Sequence, residues 1–297
     1  MTSTLTLSFL VDNRPVFFEQ AWVLAQSLAG LGVLGVPEVI VAMHHTPAVP
    51  KDIRARFRDI GVETREVPPF GEGAAVYCNK LRQLETDLAT ASDYLIMVDT
   101  DVVFRRDPAR LAMGDAARAK PVDQANPSLP VLLRLAARRG GAGLALRTLR
   151  DLHRPVFGGR VPTPRANCNG GLYVLPRATV APLRARWIAH ARFCLGQETL
   201  LQGKLHHSDQ LGFCLSVLDG TVDFDPLGTG ENFPSQFRSD LYDGLPPCEI
   251  GMLHYHKKTR AGGHPAPTGI GWIDDQIAEI DTILDRGADR IGPPPAA

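Results

Sequence analysis

From Thr4 onward the chain alternates apolar runs with stretches of helical period. Thr4 to Val11 is almost continuously apolar and predicts a buried strand. Glu19 to Leu31 then carries Ala21, Val23, Leu24, Leu28 and Leu31 at helical spacing and ends in glycine-containing sequence. Val36 to Ala42 predicts a second buried strand, Asp52 to Gly61 a short amphipathic helix, and Val62 to Val67 a third extended piece. A helix over Asn79 to Thr90, with Leu81, Leu84 and Leu88 on one stripe, leads into Ser92 to Val98, an apolar run suited to a central strand. This alternation predicts an α/β fold with a parallel sheet flanked by helices, in which ligands lie beyond the carboxyl ends of the strands.

The rhythm breaks over residues 120–165, which are proline-rich at Pro121, Pro127 and Pro130 and then form an Arg-, Leu- and Ala-rich helical block around Gly140 to Gly143. They read as an insertion within the domain. Ala166 to Leu175 returns to strand, Thr179 to Leu195 to helix, and Ser208 to Leu218 to a second helix capped by Ser208 or Asp209. Val222 to Phe224 predicts a short strand and Gly251 to His256 a late strand feeding a basic loop. Trp272 to Arg286 predicts a terminal helix with Ile273, Ile277, Ile280 and Leu284 in register. Residues 287–297, with Pro293 to Pro295, predict a disordered tail.

Composition narrows the function classes. The chain has 297 residues, room for one large α/β domain or two modest ones. Its 32 basic residues balance 32 acidic ones, so there is no net field to gather a polyanion and nucleic acid is not an expected partner. The five cysteines form no C-x-x-C pair and are odd in number, which predicts reduced thiols in a cytoplasmic protein. The opening residues have no cationic segment, and the apolar run to Val11 stops at Asp12, so neither a signal peptide nor a transmembrane segment is expected.

Asp99 and Asp101, at i and i+2 after the apolar strand, present hard oxygen ligands to Mg²⁺ or Mn²⁺. A departing diphosphate needs such a cation. The competing reading has Asp99 capping a turn and Asp101 solvated. Later come Cys168-Asn169-Gly170-Gly171-Leu172-Tyr173-Val174, Ser208-Asp209-Gln210 and His254. Lys80, before the apolar strand, and Asp12-Asn13, after the first one, are further candidates. Each has a bland alternative: a β-bulge for the glycines, an N-cap for Asp209, a lone core or surface histidine for His254, a solvated ammonium for Lys80, a plain turn for Asp12-Asn13.

Together these motifs resemble the GT-A-fold glycosyltransferases, especially the retaining group typified by glycogenin and bacterial lipopolysaccharide galactosyltransferases. The resemblance runs from Leu5 to about Lys258 and is weakest over 120–165. It implies a single Rossmann-like GT-A domain over residues 1–286, with a mixed, mostly parallel sheet flanked by helices. It implies that Asp99 and Asp101 bind the metal and that His254 completes its protein ligands. Asn169 would meet the donor sugar's hydroxyls, with Gly170 and Gly171 letting the backbone come close, and Asp209 and Gln210 would be catalytic. Lys80, Thr100, Lys257 and Lys258 would border the diphosphate, and Asp12 and Asn13 the nucleobase and ribose.

Two departures from the family pattern matter. Its H-x-x-G-x-x-K-P-W is replaced by His254-Tyr255-His256-Lys257-Lys258-Thr259, so His256 is a rival ligand; on a strand both histidines face the same side. Leu211 stands where many relatives place an acid, which leaves the sugar open. The resemblance implies a metal-dependent enzyme that moves a hexose from a nucleoside-diphosphate sugar, expected to be a UDP-sugar, to an acceptor hydroxyl with retention. The acceptor is a glycan, a small metabolite or a protein, shaped by residues 120–165 and Phe233 to Phe237. No strong general-base candidate emerges, which suits retention. One alternative is a nucleotidyltransferase, but that calls for a Gly-rich basic loop after the first strand, and Val11-Asp12-Asn13-Arg14-Pro15 is not one. The other is a non-catalytic nucleotide-sugar-binding protein.

Overall fold

The structure is a computed structural model and describes residues 3–157 and 161–293. Its first half runs β1 (Leu5–Val11), α1 (Pro15–Gly30), β2 (Val39–His45), α2 (Lys51–Asp59), β3 (Glu63–Glu66), β4 (Tyr94–Val98), β5 (Val102–Phe104), β6 (Ala117–Pro121) and α3 (Leu129–Arg150). The second half adds β7 (Leu152–His153), β8 (Thr163–Pro164), β9 (Cys168–Pro176), α4 (Arg177–Leu195), α5 (Glu198–Leu201), α6 (Ser208–Leu218), β10 (Phe224–Pro226), β11 (Phe233–Pro234), β12 (Met252–His254) and α7 (Gly271–Ile291).

Seven strands form the main sheet in the order β10-β6-β9-β4-β1-β2-β3. All its pairings are parallel except those of β9, which runs antiparallel between β4 and β6. A smaller sheet, β11-β12-β5, begins where β4 ends. The central strands β1, β4 and β9 are mostly apolar on both faces because both are covered. Leu5, Leu7 and Phe9 pack toward Trp22 of α1 and Phe57 of α2, while Leu95, Met97, Tyr173 and Leu175 pack toward Trp187 of α4 and Phe213 of α6. The Ile273, Ile277, Ile280 and Leu284 stripe of α7 closes a third core with Val103 and Leu253 of the small sheet and Tyr255 just beyond it.

Three predicted elements come out differently. Residues 79–90 form no α-helix; the segment is built of 3₁₀ turns over Gly73–Glu85 and Asp87–Thr90. Its buried residues Cys78, Leu81 and Leu84 recur every third position, the spacing that eclipses side chains in a 3₁₀ helix. The start of the presumed insertion belongs to the sheet instead, because Lys120 and Pro121 end β6 beside β9. The terminal helix continues through the expected tail boundary to Ile291, where the Gly292 carbonyl accepts bonds from Trp22 and Gln26 of α1; residues 294–297 lie outside the described ones. The Gly140-Gly141 break is real: it kinks α3, with Gly141 at φ +67°.

Polar groups inside the sheet are paired. Ser8 of β1 donates to Gln83 Oε1 at 2.6 Å and lies 2.9 Å from His44 Nδ1, whose ring also meets Thr86 Oγ1 at 2.9 Å. Burial, helped by Arg65, lowers the His44 pKa from 6.5 to about 4. The unfolded chain therefore binds this proton below about pH 6.5 and the folded protein only near pH 4. The stability it confers is complete above pH 6.5 and is lost as the pH falls toward 4. Urea unfolding of His44→Gln should show a deficit at pH 7 that shrinks by about 3 kcal/mol at pH 4; a constant deficit would contradict it.

Candidate active site

The sheet register assembles the site. Val98 pairs with Leu172 across β4 and β9, and the Asp99 amide continues the ladder to the Gly171 carbonyl at 3.3 Å. Asn169-Gly170-Gly171 therefore lies opposite the end of β4. On the other side of Asp99-Thr100-Asp101, β5 pairs antiparallel with β12, His254 falling opposite Val102, and the Tyr255 amide donates to the Asp101 carbonyl at 3.1 Å. Two apolar strands that pack for stability thus bring three separate motifs to one sheet edge.

Two clusters result. In the first, Asp101 Oδ1 lies 3.3 Å from His254 Nε2 and Asp101 Oδ2 lies 3.5 Å from His256 Nδ1. The two imidazoles stack with centroids 3.8 Å apart. Burial opposes the Asp101 charge, but His254 and His256 outweigh it and hold the carboxyl below the usual carboxylate range. Burial and the neighbouring His254 lower His256 to about 3, so its ring is neutral at pH 7. His254 is only 2% exposed, and neither of its ring nitrogens has a hydrogen-bond partner among the described residues. The Asp101 carboxylate beside it is out of hydrogen-bond alignment at 3.3 Å; leaving a buried imidazole so poorly satisfied is costly, and ligation of a cation would relieve it.

In the second cluster Lys80 Nζ lies 2.5 Å from Asp99 Oδ1, 3.1 Å from the Gly170 carbonyl and 3.4 Å from Asp209 Oδ2. Burial works against the Lys80 ammonium, yet Asp99, Asp209 and Asp101 around it outweigh burial and raise its pKa. Asp209 is buried at the start of α6; burial raises its pKa against the pull of Lys80. Neither Ser208 nor Asp209 caps that helix: the capping position is His207, whose side chain makes no capping bond, and the Asp209 carboxylate faces Lys80 instead. Gly170 and Gly171 are required by space. A Cβ on Gly171 would run into the His254 ring, and one on Gly170 would press on Lys80 Nζ and the Gln210 amide, each 3.0 Å away.

The remaining predicted residues divide. Asn169 Oδ1 accepts from the Gly171 amide at 2.9 Å, and its amide faces Asp123 at 3.4 Å. Thr100 is turned away, its hydroxyl donating to Gln20 Oε1 of α1 at 3.1 Å. Asp12 pairs with Arg14 at 2.9 Å in the turn after β1, and Asn13 beside it is exposed. Lys257 and Lys258 are exposed beyond β12, and Lys258 donates to the Phe237 carbonyl at 2.9 Å.

The sequence did not signal Gln20, which ties Thr100 to the His256 carbonyl at 3.3 Å. It holds the backbone of His256, whose φ is +51°, a conformation that a non-glycine residue adopts only when held. Nor did it signal the buried Lys120–Asp123 ion pair behind Asn169. If the Asp101, His254 and His256 group takes a divalent cation, Gln20→Leu is expected to weaken that binding about tenfold, measured by titrating Mn²⁺ and Mg²⁺ into wild type and variant; an unchanged affinity would detach Gln20 from the site.

No family model and no curated protein sequence matches the chain. Solved structures do. Galactosyltransferase LgtC, in complex with donor and acceptor sugar analogs, matches over 93% of this chain and 94% of its own at 14% identity, with a TM-score of 0.54. The fold is the GT-A fold. Apo mouse xyloside xylosyltransferase 1 shares it over 87% of this chain and 99% of its own, at 12% identity and a TM-score of 0.51. The bifunctional glycosyltransferase WbbM matches 96% of this chain at 12% identity and a TM-score of 0.53, the chain spanning 52% of WbbM's length. In this GT-A fold the mixed sheet follows from the reversed β9, which sets Asn169 to Gly171 against Asp99. Among the described residues no helix is long and apolar enough to cross a membrane.

Proposed function

We propose that the protein is a metal-dependent glycosyltransferase that moves a hexose from a nucleoside-diphosphate sugar, a UDP-sugar first among candidates, to an acceptor hydroxyl with retention. The observation that carries this reading is the meeting, at one sheet edge, of Asp101 with His254 and His256 and of Lys80 with Asp99 and Asp209. Asp101, His254 and His256, whose ligand atoms converge, would hold the cation, since carboxylate and imidazole suit Mn²⁺ or Mg²⁺; Asp99, the other expected ligand, faces Lys80 Nζ at 2.5 Å and would join them only by releasing it. When bound, the cation would neutralise charge on the departing diphosphate.

The chain's own residues do the rest. Lys80, Lys257 and Lys258 offer positive charge to the diphosphate. Asn169 and Asp209 offer acceptors and donors to sugar hydroxyls, and the bare backbone of Gly170 and Gly171 lets the sugar lie close. Gln210, with its amide beside Gly170, would steady the oxocarbenium-like centre through its carbonyl dipole. Thr100 would contribute to the donor site through its backbone, since its hydroxyl is used by Gln20. Asp12 and Asn13 would border the nucleoside.

Retention is supported by the state of the carboxylates. Asp99 and Asp209 face Lys80, Asp101 faces two histidines, and Asp123 is tied to Lys120, so among the described residues none of these stands free as a general base. The acceptor would then lose its proton to the leaving diphosphate oxygen on the same face. The acceptor is a glycan, a small metabolite or a protein. Five free cysteines, four of them buried, fit work in the cytoplasm.

The test is release of nucleoside diphosphate from a panel of nucleotide-sugars with Mn²⁺, Mg²⁺ or EDTA. The reading expects metal-dependent hydrolysis of one donor, with the α-anomer of the sugar released first. Release of pyrophosphate from a nucleoside triphosphate and a sugar phosphate, with no hydrolysis of any nucleotide-sugar, would replace it with a nucleotidyltransferase.

A further inference from the structure

The balanced charge of the chain hides a strong asymmetry. α3 and α4, of 22 and 19 residues, contain nine arginines and no acidic residue. Because the whole chain has 32 basic and 32 acidic residues, the remainder carries nine more acids than bases. Between the two helices lies an open cleft of about 580 Å³, lined by Arg139, Arg147 and Arg186 together with His190 and Asp219. Its floor is fixed: Arg139 Nε donates to His190 Nδ1 at 2.7 Å with its guanidinium over the Phe193 ring, and His190 Nε2 meets Asp219 Oδ2 at 2.8 Å. Asp219, the cleft's carboxylate, also accepts from the Thr221 amide at 3.0 Å. Among the described residues Arg147 and Arg186 have no ion-pair partner, and both are exposed.

Apolar side chains stand beside this charge. Leu144 and Thr148 turn the buried face of α3 inward, while Leu146 and Leu149 on the other side are 47% and 46% exposed. The spacing of Leu146, Leu149 and Arg150 puts them on one stripe, with Arg147 at its edge. A soluble anion would use the arginines and leave the leucines without purpose. Headgroup phosphates with the acyl boundary beneath them use both.

We propose that this face of α3 and α4 docks the protein on an anionic lipid bilayer, with the cleft arginines taking headgroup phosphates and Leu146 and Leu149 entering the boundary. Its α3 part lies within residues 120–165, expected on the acceptor side, but the surface contains none of the residues assigned to the metal or the donor and does not depend on that assignment.

Co-sedimentation of the full chain with vesicles tests it. The protein is expected to bind phosphatidylcholine vesicles containing phosphatidylglycerol, to ignore vesicles of phosphatidylcholine alone, and to be released by salt. Arg147→Gln with Arg186→Gln should lower partitioning about 25-fold, about fivefold for each arginine. Leu146→Ser with Leu149→Ser should lower it at least about tenfold. Neither double variant should change the melting temperature, because all four side chains are exposed. Failure to bind the mixed vesicles, equal binding to neutral ones, or wild-type binding by either double variant would overturn the proposal. So would inorganic pyrophosphate that binds the cleft tightly while mixed vesicles do not, since that assigns the arginines to a soluble anion.

Discussion

Asp101→Asn is expected to lower metal-dependent donor turnover by on the order of a thousandfold, the rate equivalent of several kcal/mol of charge stabilisation, with little change in melting temperature. The asymmetry follows from what the carboxylate touches. Its two oxygens face only the His254 and His256 rings, at 3.3 and 3.5 Å, and the residue's structural bond is made by its backbone carbonyl to the Tyr255 amide. Asparagine keeps the shape and that backbone bond, but it removes the negative charge the cation would need. The check is a Mn²⁺ titration of turnover in both proteins alongside thermal melts. Equal turnover would remove Asp101 from the site.

Lys80→Met is expected to have the largest effect on the fold. One ammonium is shared by Asp99, Asp209 and the Gly170 carbonyl, and Lys80 is only 15% exposed. Removing it leaves two carboxylates facing each other with no cation between them, and stranding a partner of a buried pair costs about 3–5 kcal/mol. Donor binding should weaken as well, because the same ammonium is the charge nearest the proposed diphosphate. Urea unfolding gives the first quantity and nucleotide titration the second. A loss of stability below about 1 kcal/mol would place Lys80 among solvated surface lysines.

Much of this was legible along the chain, for identifiable reasons. β4 and the Leu172–Leu175 stretch of β9 are continuous apolar runs, and β1 nearly so, because both sheet faces are covered, so Asp99-Thr100-Asp101 and Asn169-Gly170-Gly171 could be placed at strand ends. β6 was not legible: Ala117-Arg118-Ala119-Lys120-Pro121 has no β-branched or aromatic residue, and it is a strand because it pairs with β9 and β10. The segment after Gly73 was misread because Leu81, Leu84 and Leu88 fit a 3.6-residue period, whereas Leu81 and Leu84 continue the three-residue spacing from Cys78 and Leu88 belongs to the separate turn Asp87–Thr90.

The site was readable where its residues come in short motifs and unreadable where they act through space. His254 and His256 were left as rivals by spacing, and both rings meet Asp101. Asp209 as a helix cap was the bland reading; its partner is Lys80, far away in sequence. Gln20 lies in α1, which is buried on all sides from Gln20 to Gly30, and nothing local distinguishes its amide from that of Gln26, which bonds the Gly292 carbonyl.

The most direct test of a metal-dependent nucleotide-sugar site is a set of thermal melts with Mn²⁺ alone, UDP with EDTA, and UDP with Mn²⁺, extended to other nucleoside diphosphates. Ligand at about a hundred times its Kd adds about 2.7 kcal/mol of stability, roughly 5 °C or more in a domain of this size. A shift of that order is predicted for one nucleoside diphosphate together with Mn²⁺, absent in EDTA and absent in Asp101→Asn. No metal-dependent shift with any nucleoside diphosphate would contradict it.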